Sequence, residues 1–209
     1  MRHWPLLDLR LTTPRLELRL PTLDDLDELA DCALQGVHDP GFMPFLVPWT
    51  DVPGDELSGQ VIRHHLACLA NWTPGSWRCN FMVVHEGKVI GTQTLRGTDF
   101  ATTREVGSGS WLGRAHQGKG IGTEMRATVL HLAFAGLGAE SAITAALTGN
   151  EASLTVTRKL GYQPNGFDYV AVRGERVADQ KFRLLREDFV SPVPVEIHGL
   201  DACRTDFGL

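Results

Sequence analysis

No apolar run in this chain approaches the ~20 residues that a membrane-spanning helix needs. Nor does Met1-Arg2-His3-Trp4-Pro5 show the charged-then-apolar order of a secretory leader. Both absences point to a cytoplasmic protein without membrane partners. Cationic residues are not in excess: 20 Lys and Arg stand against 25 Asp and Glu, a formal net charge of -5. That balance argues against a nucleic-acid surface and leaves a basic protein partner open. The four cysteines, Cys32, Cys68, Cys79 and Cys203, form no C-x-x-C pair and no ligand cluster with the eight histidines. They read as reduced packing residues, so neither a disulfide framework nor a metal site is expected. Repeats and low-complexity tracts are missing too. At 209 residues, 43% hydrophobic and 22% charged, the chain is long enough for one substantial core in a soluble domain.

Periodicity supplies the elements. Leu16, Leu18 and Leu20 alternate with Arg15, Glu17 and Arg19 as a first strand, and Thr22 with Asp25 makes a capping box ahead of a helix over 23–34. From Gly36 to Gly54, prolines and the aromatics Phe42, Phe45 and Trp49 show no period. This long ordered loop or broken helix is either a substrate wall or a cap on the core. A second helix is predicted over 55–71, with Leu57, Val61 and Leu69 near one face. A hairpin follows, Phe81–Val84 with Val89–Leu95, turning at Glu86-Gly87. Glu105 to Leu112 is a strand whose glycines suggest close approach by something else. Ser141–Thr148 is a buried strand, 150–160 a short helix closed by Gly161, and Tyr169–Val172 with Lys181–Leu185 a last hairpin. Strands with helices between them imply a mixed α/β or α+β sheet.

The densest chemistry lies in Gln117-Gly118-Lys119-Gly120-Ile121-Gly122-Thr123, between the Glu105–Leu112 strand and a helix carrying Ile121, Met125, Val129 and Leu132. Glycines let main-chain amides turn toward an anion, and a helix start adds unsatisfied N–H groups and a positive dipole end. A phosphate cradle and a plain glycine-rich turn both fit. The run Gly113 to Gly120 nearly spells the triphosphate P-loop, but Gly120 stands where a Ser or Thr should hold magnesium. A dinucleotide fingerprint fails on spacing, since Gly118, Gly120 and Gly122 read G-x-G-x-G.

A third pattern, Q/R-x-x-G-x-G/A at Gln117, Gly120 and Gly122, resembles the pyrophosphate loop of the GCN5-related N-acetyltransferases (GNATs). Two further segments are similar to the RimJ/RimL-like branch of that superfamily: Thr12-Thr13-Pro14-Arg15-Leu16-Glu17-Leu18-Arg19, and Asn150 to Ser153 through Lys159-Leu160-Gly161-Tyr162. The resemblance covers most of residues 12–190. It implies the acyl-CoA N-acyltransferase fold: a six- or seven-stranded, mostly antiparallel sheet flanked by helices, with two splayed central strands. One domain is expected over 1–190, with 191–209 packing on it or on a partner subunit in a homo-oligomer.

The implied reaction is transfer of an acyl group, by default acetyl, from acyl-CoA to a protein N-terminus, a lysine or a small amine. A succinyl or other donor, or a noncatalytic acyl-CoA-binding module, are the alternatives. The resemblance assigns the pyrophosphate to the amides of Gln117, Gly118, Lys119, Gly120, Ile121 and Gly122, with a hydroxyl from Thr123. It assigns the pantetheine arm to the main chain of Trp111, Leu112 and Gly113. Arg114 and Lys119 either add charge near the phosphates or are solvated. Asn150 either contacts pantetheine or is a helix N-cap. Ser153 matches a serine proposed to hydrogen-bond the leaving sulfur. Free amines, with pKa ~7.7 to 10.4, must lose a proton, so a base or water relay is needed. Glu105, on one face with Gly107, Gly109 and Trp111, is the preferred base. His85, His38, Asp99 and Asp168 are its rivals, and His116 reads as a phosphate-side or surface residue.

Overall fold

The alternating and helical periods fold as read except in the last hairpin, whose strands are longer and turn at Arg173-Gly174, so that Tyr169–Val172 pair with Glu175–Ala178 and not with Lys181–Leu185. A computed structural model describes residues 1–209. Its strands are β1 (Arg10–Thr12), β2 (Leu16–Arg19), β3 (Ser76–His85), β4 (Lys88–Thr98), β5 (Glu105–Leu112), β6 (Ser141–Leu147), β7 (Gln163–Val172), β8 (Glu175–Leu185) and β9 (Glu196–His198). The helices are α1 (Leu23–Leu34), α2 (Gly54–Ala70), α3 (Phe100–Thr103), α4 (Ile121–His131), α5 (Glu151–Lys159) and α6 (Leu200–Cys203). Thr22 Oγ1 accepts from the Asp25 amide at 3.1 Å and Asp25 Oδ2 from the Thr22 amide at 2.9 Å, so both halves of the predicted capping box form. Glu86 and Gly87 both take positive φ, 51° and 77°, the twist a two-residue hairpin turn demands.

All strands join one sheet in the order β7-β8-β6-β5-β4-β3-β2-β1-β9. Only β5 and β6 run parallel. Seven strands, β2 to β8, make the sheet that the resemblance implied. The three-residue β1 and β9, too short to show a period, extend it to nine. The segment after residue 190 packs on the domain: β9 pairs with β1, and buried Phe207 lies edge-on to Trp77 at 5.0 Å and to Trp72 at 5.5 Å.

Successive residues of β3 face opposite ways. Phe81 and Val83 enter a core shared with Ile121, Met125 and Val129 of α4, while Met82 and Val84 meet Leu26, Leu29, Leu57 and Val61 of α1 and α2. The sheet is thus covered on both faces, with α4 and α5 on one and α1 and α2 on the other. Between β5 and β6 the cover opens. Their pairing consists of Glu105↔Ser141, Val106↔Ala142 and Gly107↔Ile143, yet β4 continues along β5 to Leu112 and β8 along β6 to Leu147. The two central strands therefore splay after their third pair. No helix is long and apolar enough to cross a membrane.

Candidate active site

The splay leaves one edge of β5 without a strand beside it beyond Ser108, whose carbonyl still accepts from Thr144 Oγ1 at 3.2 Å. Past Leu112 the chain turns where only glycine fits, because a Cβ on Gly113 would sit 2.6 Å from Cys32 Sγ. The Gly113 amide donates to the Ile90 carbonyl and that of Arg114 to the Gly36 carbonyl, both at 3.0 Å. A 3-10 turn, Arg114–His116, follows.

The bend then inverts its amides. Gly118 and Gly120 take φ of 73° and 80°, left-handed values that cost ~1–2 kcal/mol for a residue with a Cβ. The amides of Gly118, Lys119, Gly120, Ile121 and Gly122 donate to no acceptor within the protein. Gly120 caps α4 without a side-chain hydrogen bond, and no atom lies within 4 Å of the place where a Gly118 Cβ would be. Five free donors beside open space at a helix start fit a diphosphate. The Ile121 side chain is buried in the core, so only its main chain faces this space.

Gln117 serves the loop from behind, its Nε2 donating to the Val37 carbonyl at 2.7 Å and the Leu112 carbonyl at 2.8 Å. Lys119 offers its carbonyl to Arg15 Nη1 at 3.3 Å, while the side chains of Lys119 and Arg114 belong to exposed residues. Partial burial and then the neighbouring Lys119 hold His116 below the usual histidine range. Thr123 closes the first turn through its amide, which donates to the Gly120 carbonyl at 3.1 Å.

Across the splay stands α5. Asn150 is its N-cap: Oδ1 accepts from the Ser153 amide at 3.1 Å, and Nδ2 reaches the Pro44 carbonyl at 3.4 Å. Ser153 is half-buried. Buried Arg126 braces this turn from α4, donating to Thr157 Oγ1 at 2.9 Å, which donates in turn to the Ser153 carbonyl at 2.8 Å.

Glu105 stands apart from these groups. It opens β5, seven residues before Leu112, so the strand rise of ~3.3 Å per residue separates it from the loop by roughly 23 Å. Its carboxylate is engaged by Arg183 and by Ser141 Oγ, the latter at 2.8 Å. An ion-paired carboxylate at the remote end of the strand is poorly placed to take a proton, contrary to the preference drawn from strand alternation.

A cavity of about 370 Å³ lies over the other end of β5, on the α2 face. Phe45, Trp49 and Trp111 form its aromatic wall, with ring centroids 5.2 Å apart for Phe45–Trp49 and 5.5 Å for Trp49–Trp111. The irregular 36–54 loop is therefore a pocket wall. Gln60, His64 and His65 enter from α2. His65 is 3% exposed, and its Nδ1 lies 2.9 Å from the Val61 carbonyl, an acceptor. That bond fixes the tautomer, leaving Nε2 as an unprotonated acceptor. Nε2 has no partner, and neither does Gln60 Oε1. Burial depresses the His65 pKa to about 4. His85, His38, Asp99 and Asp168 do not line the cavity. His38 faces Thr50 Oγ1 at 2.7 Å, and Asp168 pairs with Lys181 at 3.4 Å on the outer hairpin. No group of three or more His, Cys, Asp or Glu residues is placed to hold a metal.

The same fold recurs in solved structures. Mycobacterium smegmatis RimJ in complex with a CoA disulfide superposes with a TM-score of 0.72 at 19% identity, over 88% of this chain and 90% of that one. A GCN5-related N-acetyltransferase from Brucella melitensis gives 0.68 at 18% identity over 86% and 79%. RimL, the ribosomal L7/L12 α-N-protein acetyltransferase in complex with coenzyme A, gives 0.61 at 17% over 83% and 95%. At such identities the likeness establishes the fold. The acetyltransferase (GNAT) domain profile matches residues 15–163, a span holding the loop, the splay, Asn150 and Ser153, and this chain belongs to the GNAT acetyltransferase family.

Proposed function

We propose that this acetyltransferase moves an acetyl group from acetyl-CoA to a primary amine presented in the 370 Å³ cavity, and that His65 receives the proton the amine loses. The observation that carries the reading is the run of five partnerless amides from Gly118 to Gly122 at the mouth of the splay. Those amides hold the diphosphate. The free edge of β5, from Gly109 to Leu112, takes the pantetheine arm as an added strand, and Gly113, whose amide is spent on Ile90, turns the chain beyond it. The thioester then lies between Trp111 on one side and α5 on the other.

Ser153 Oγ donates a hydrogen bond to the departing sulfur. A hydroxyl is a weak acid, so it stabilises the thiolate rather than protonating it. His65 Nε2 accepts an N–H of the neutral amine and aligns it for attack. As the C–N bond forms and the C–S bond breaks, the nitrogen becomes acidic, and a base that stays unprotonated down to pH about 4 takes its proton. The cavity lining contains no lysine or arginine, so nothing there favours a dicarboxylic acyl group over acetyl. Four free cysteines fit a reducing, cytosolic setting.

The test is paired. Thermal shifts with coenzyme A should show stabilisation without magnesium, about 2.7 kcal/mol at 100 times the dissociation constant. Turnover with acetyl-CoA and an amine panel should then release free thiol. A shift without turnover for any amine would leave the noncatalytic binding module as the reading, and a shift only with a magnesium nucleotide would overturn both.

A further inference from the structure

A second cavity, of about 380 Å³, adjoins the first and shares His64 with it. Its floor carries two arginines directly opposite each other, Arg78 on β3 and Arg96 on β4. Like charges in that relation repel. Arg96 extends over Gly107 of β5, where an added Cβ would sit 2.7 Å from its Nε. The glycine is thus what lets the guanidinium lie flat across the strand. The neighbouring carboxylate on this face, Glu105, is already engaged by Arg183 and Ser141. Partial burial and then Arg78 lower the pKa of Arg96, with no acidic group opposing them. Two facing guanidinium groups without a counterion, in a concave site, are an anion subsite.

The register fixes how far that subsite is from the chemistry. Arg96 is level with Gly107, whereas the first cavity is lined by Gly109, Ser110 and Trp111. Two to four residues of strand at ~3.3 Å each give roughly 7–13 Å. Gly109 leaves the path between them bare, with no atom within 4 Å of its would-be Cβ. Resting on the acyl-transfer reading above, we infer that the acceptor is an anionic amine: a primary amine held at His65, with a carboxylate or phosphate some 7–13 Å away bound by Arg78 and Arg96. A peptide N-terminus with Asp or Glu at its second to fourth position has this form, as does a small amine ending in phosphate.

Matched probes test it. Peptides with Glu at positions two to four, the same peptides with Gln, and an aminoalkyl phosphate beside its alcohol would be compared by kcat and KM. Each would also be compared by direct binding to protein saturated with coenzyme A. The anionic member of each pair should be favoured roughly tenfold or more through KM, and the preference should fade with added salt. Which pair shows the larger ratio separates peptide from small molecule. Arg78→Gln and Arg96→Gln should each erase the preference, and Arg78→Glu should invert it. Because Arg96 lies on Gly107, the exposed Arg78 variants keep the test independent of folding, and the coenzyme A thermal shift reports that each variant retains its donor site. Equal behaviour of the paired probes, including no binding by any of them, overturns the inference. Loss of the coenzyme A shift in the unaltered protein would instead refute the acyl-transfer reading.

Discussion

Arg15 and Glu124 join the two segments that stand out in the sequence. The Arg15 Nε donates to Glu124 Oε2 at 2.8 Å and its Nη1 to the Lys119 carbonyl, while Thr13 Oγ1 reaches Glu124 Oε1 at 2.6 Å. Glu124 is 4% exposed and sits in the first turn of α4, where a carboxylate also suits the helix dipole. The Thr-Pro-Arg opening thus sets the shape of the glycine bend, with Arg15 Nη2 3.7 Å from where a Gly120 Cβ would lie. Glu124→Ala should unpair Arg15 and Thr13, costing about 1–3 kcal/mol of stability. Arg15→Ala, at a residue whose side chain is 46% exposed, should cost less in stability yet weaken coenzyme A binding several-fold through a looser bend. Denaturant melts beside calorimetric titration would separate the two effects, and unaltered affinity in Arg15→Ala would remove the pair from the binding argument.

Gly120→Val tests the bend itself. At φ 80° a β-branched residue is strained by ~1–2 kcal/mol, and relaxing that strain turns the Lys119–Ile121 amides away from their common side. Coenzyme A affinity should fall by at least tenfold while circular dichroism keeps its native form. Gly118→Ala, with open space around it, meets only the conformational cost and should lose less.

Short-range features were legible in sequence and long-range ones were not. The capping box at Thr22, the Glu86-Gly87 turn and the glycine loop each depend on residues within a few positions. Glu105 looked free because its partners, Ser141 and Arg183, lie 36 and 78 residues away. The role of the Gln117 side chain depends on Val37, 80 residues off. His65 did leave a signal. Buried Leu57 and Val61 and half-buried Leu69 mark the inward stripe of α2, and His65 fills the remaining slot at four-residue spacing, a titratable ring where an apolar residue belongs. What periodicity omits is the wall of Phe45, Trp49 and Trp111, which turns that slot into a cavity rather than a core.

Ser153→Ala removes the hydroxyl but not the Ser153 amide that Asn150 caps, so α5 and coenzyme A affinity should persist. Turnover should slow by roughly a hundredfold, the lower end of the range for losing one donor to a developing charge. The deficit should appear in kcat and shrink with a thioester whose thiol is more acidic, since such a leaving group needs less help. An unchanged rate would take Ser153 out of the reaction.

His65→Gln separates catalysis from stability through pH. In the native chain the His65 pKa falls from 6.5 to about 4 because burial penalises the charged ring. Between those values the unfolded chain holds a proton that the folded chain refuses, so protonation favours unfolding. The contribution is fully present above pH 6.5 and is lost progressively as pH falls toward 4, at most about 3 kcal/mol. Glutamine does not titrate, so the variant should unfold with a flatter pH dependence over this window. Its kcat should fall by about a hundredfold or more, the weight of a positioned base, with coenzyme A binding intact. The residual rate should climb with pH as the free amine deprotonates unaided. A variant with the flatter stability profile but native kcat would show that His65 is a buried core histidine and that the proton leaves by another route.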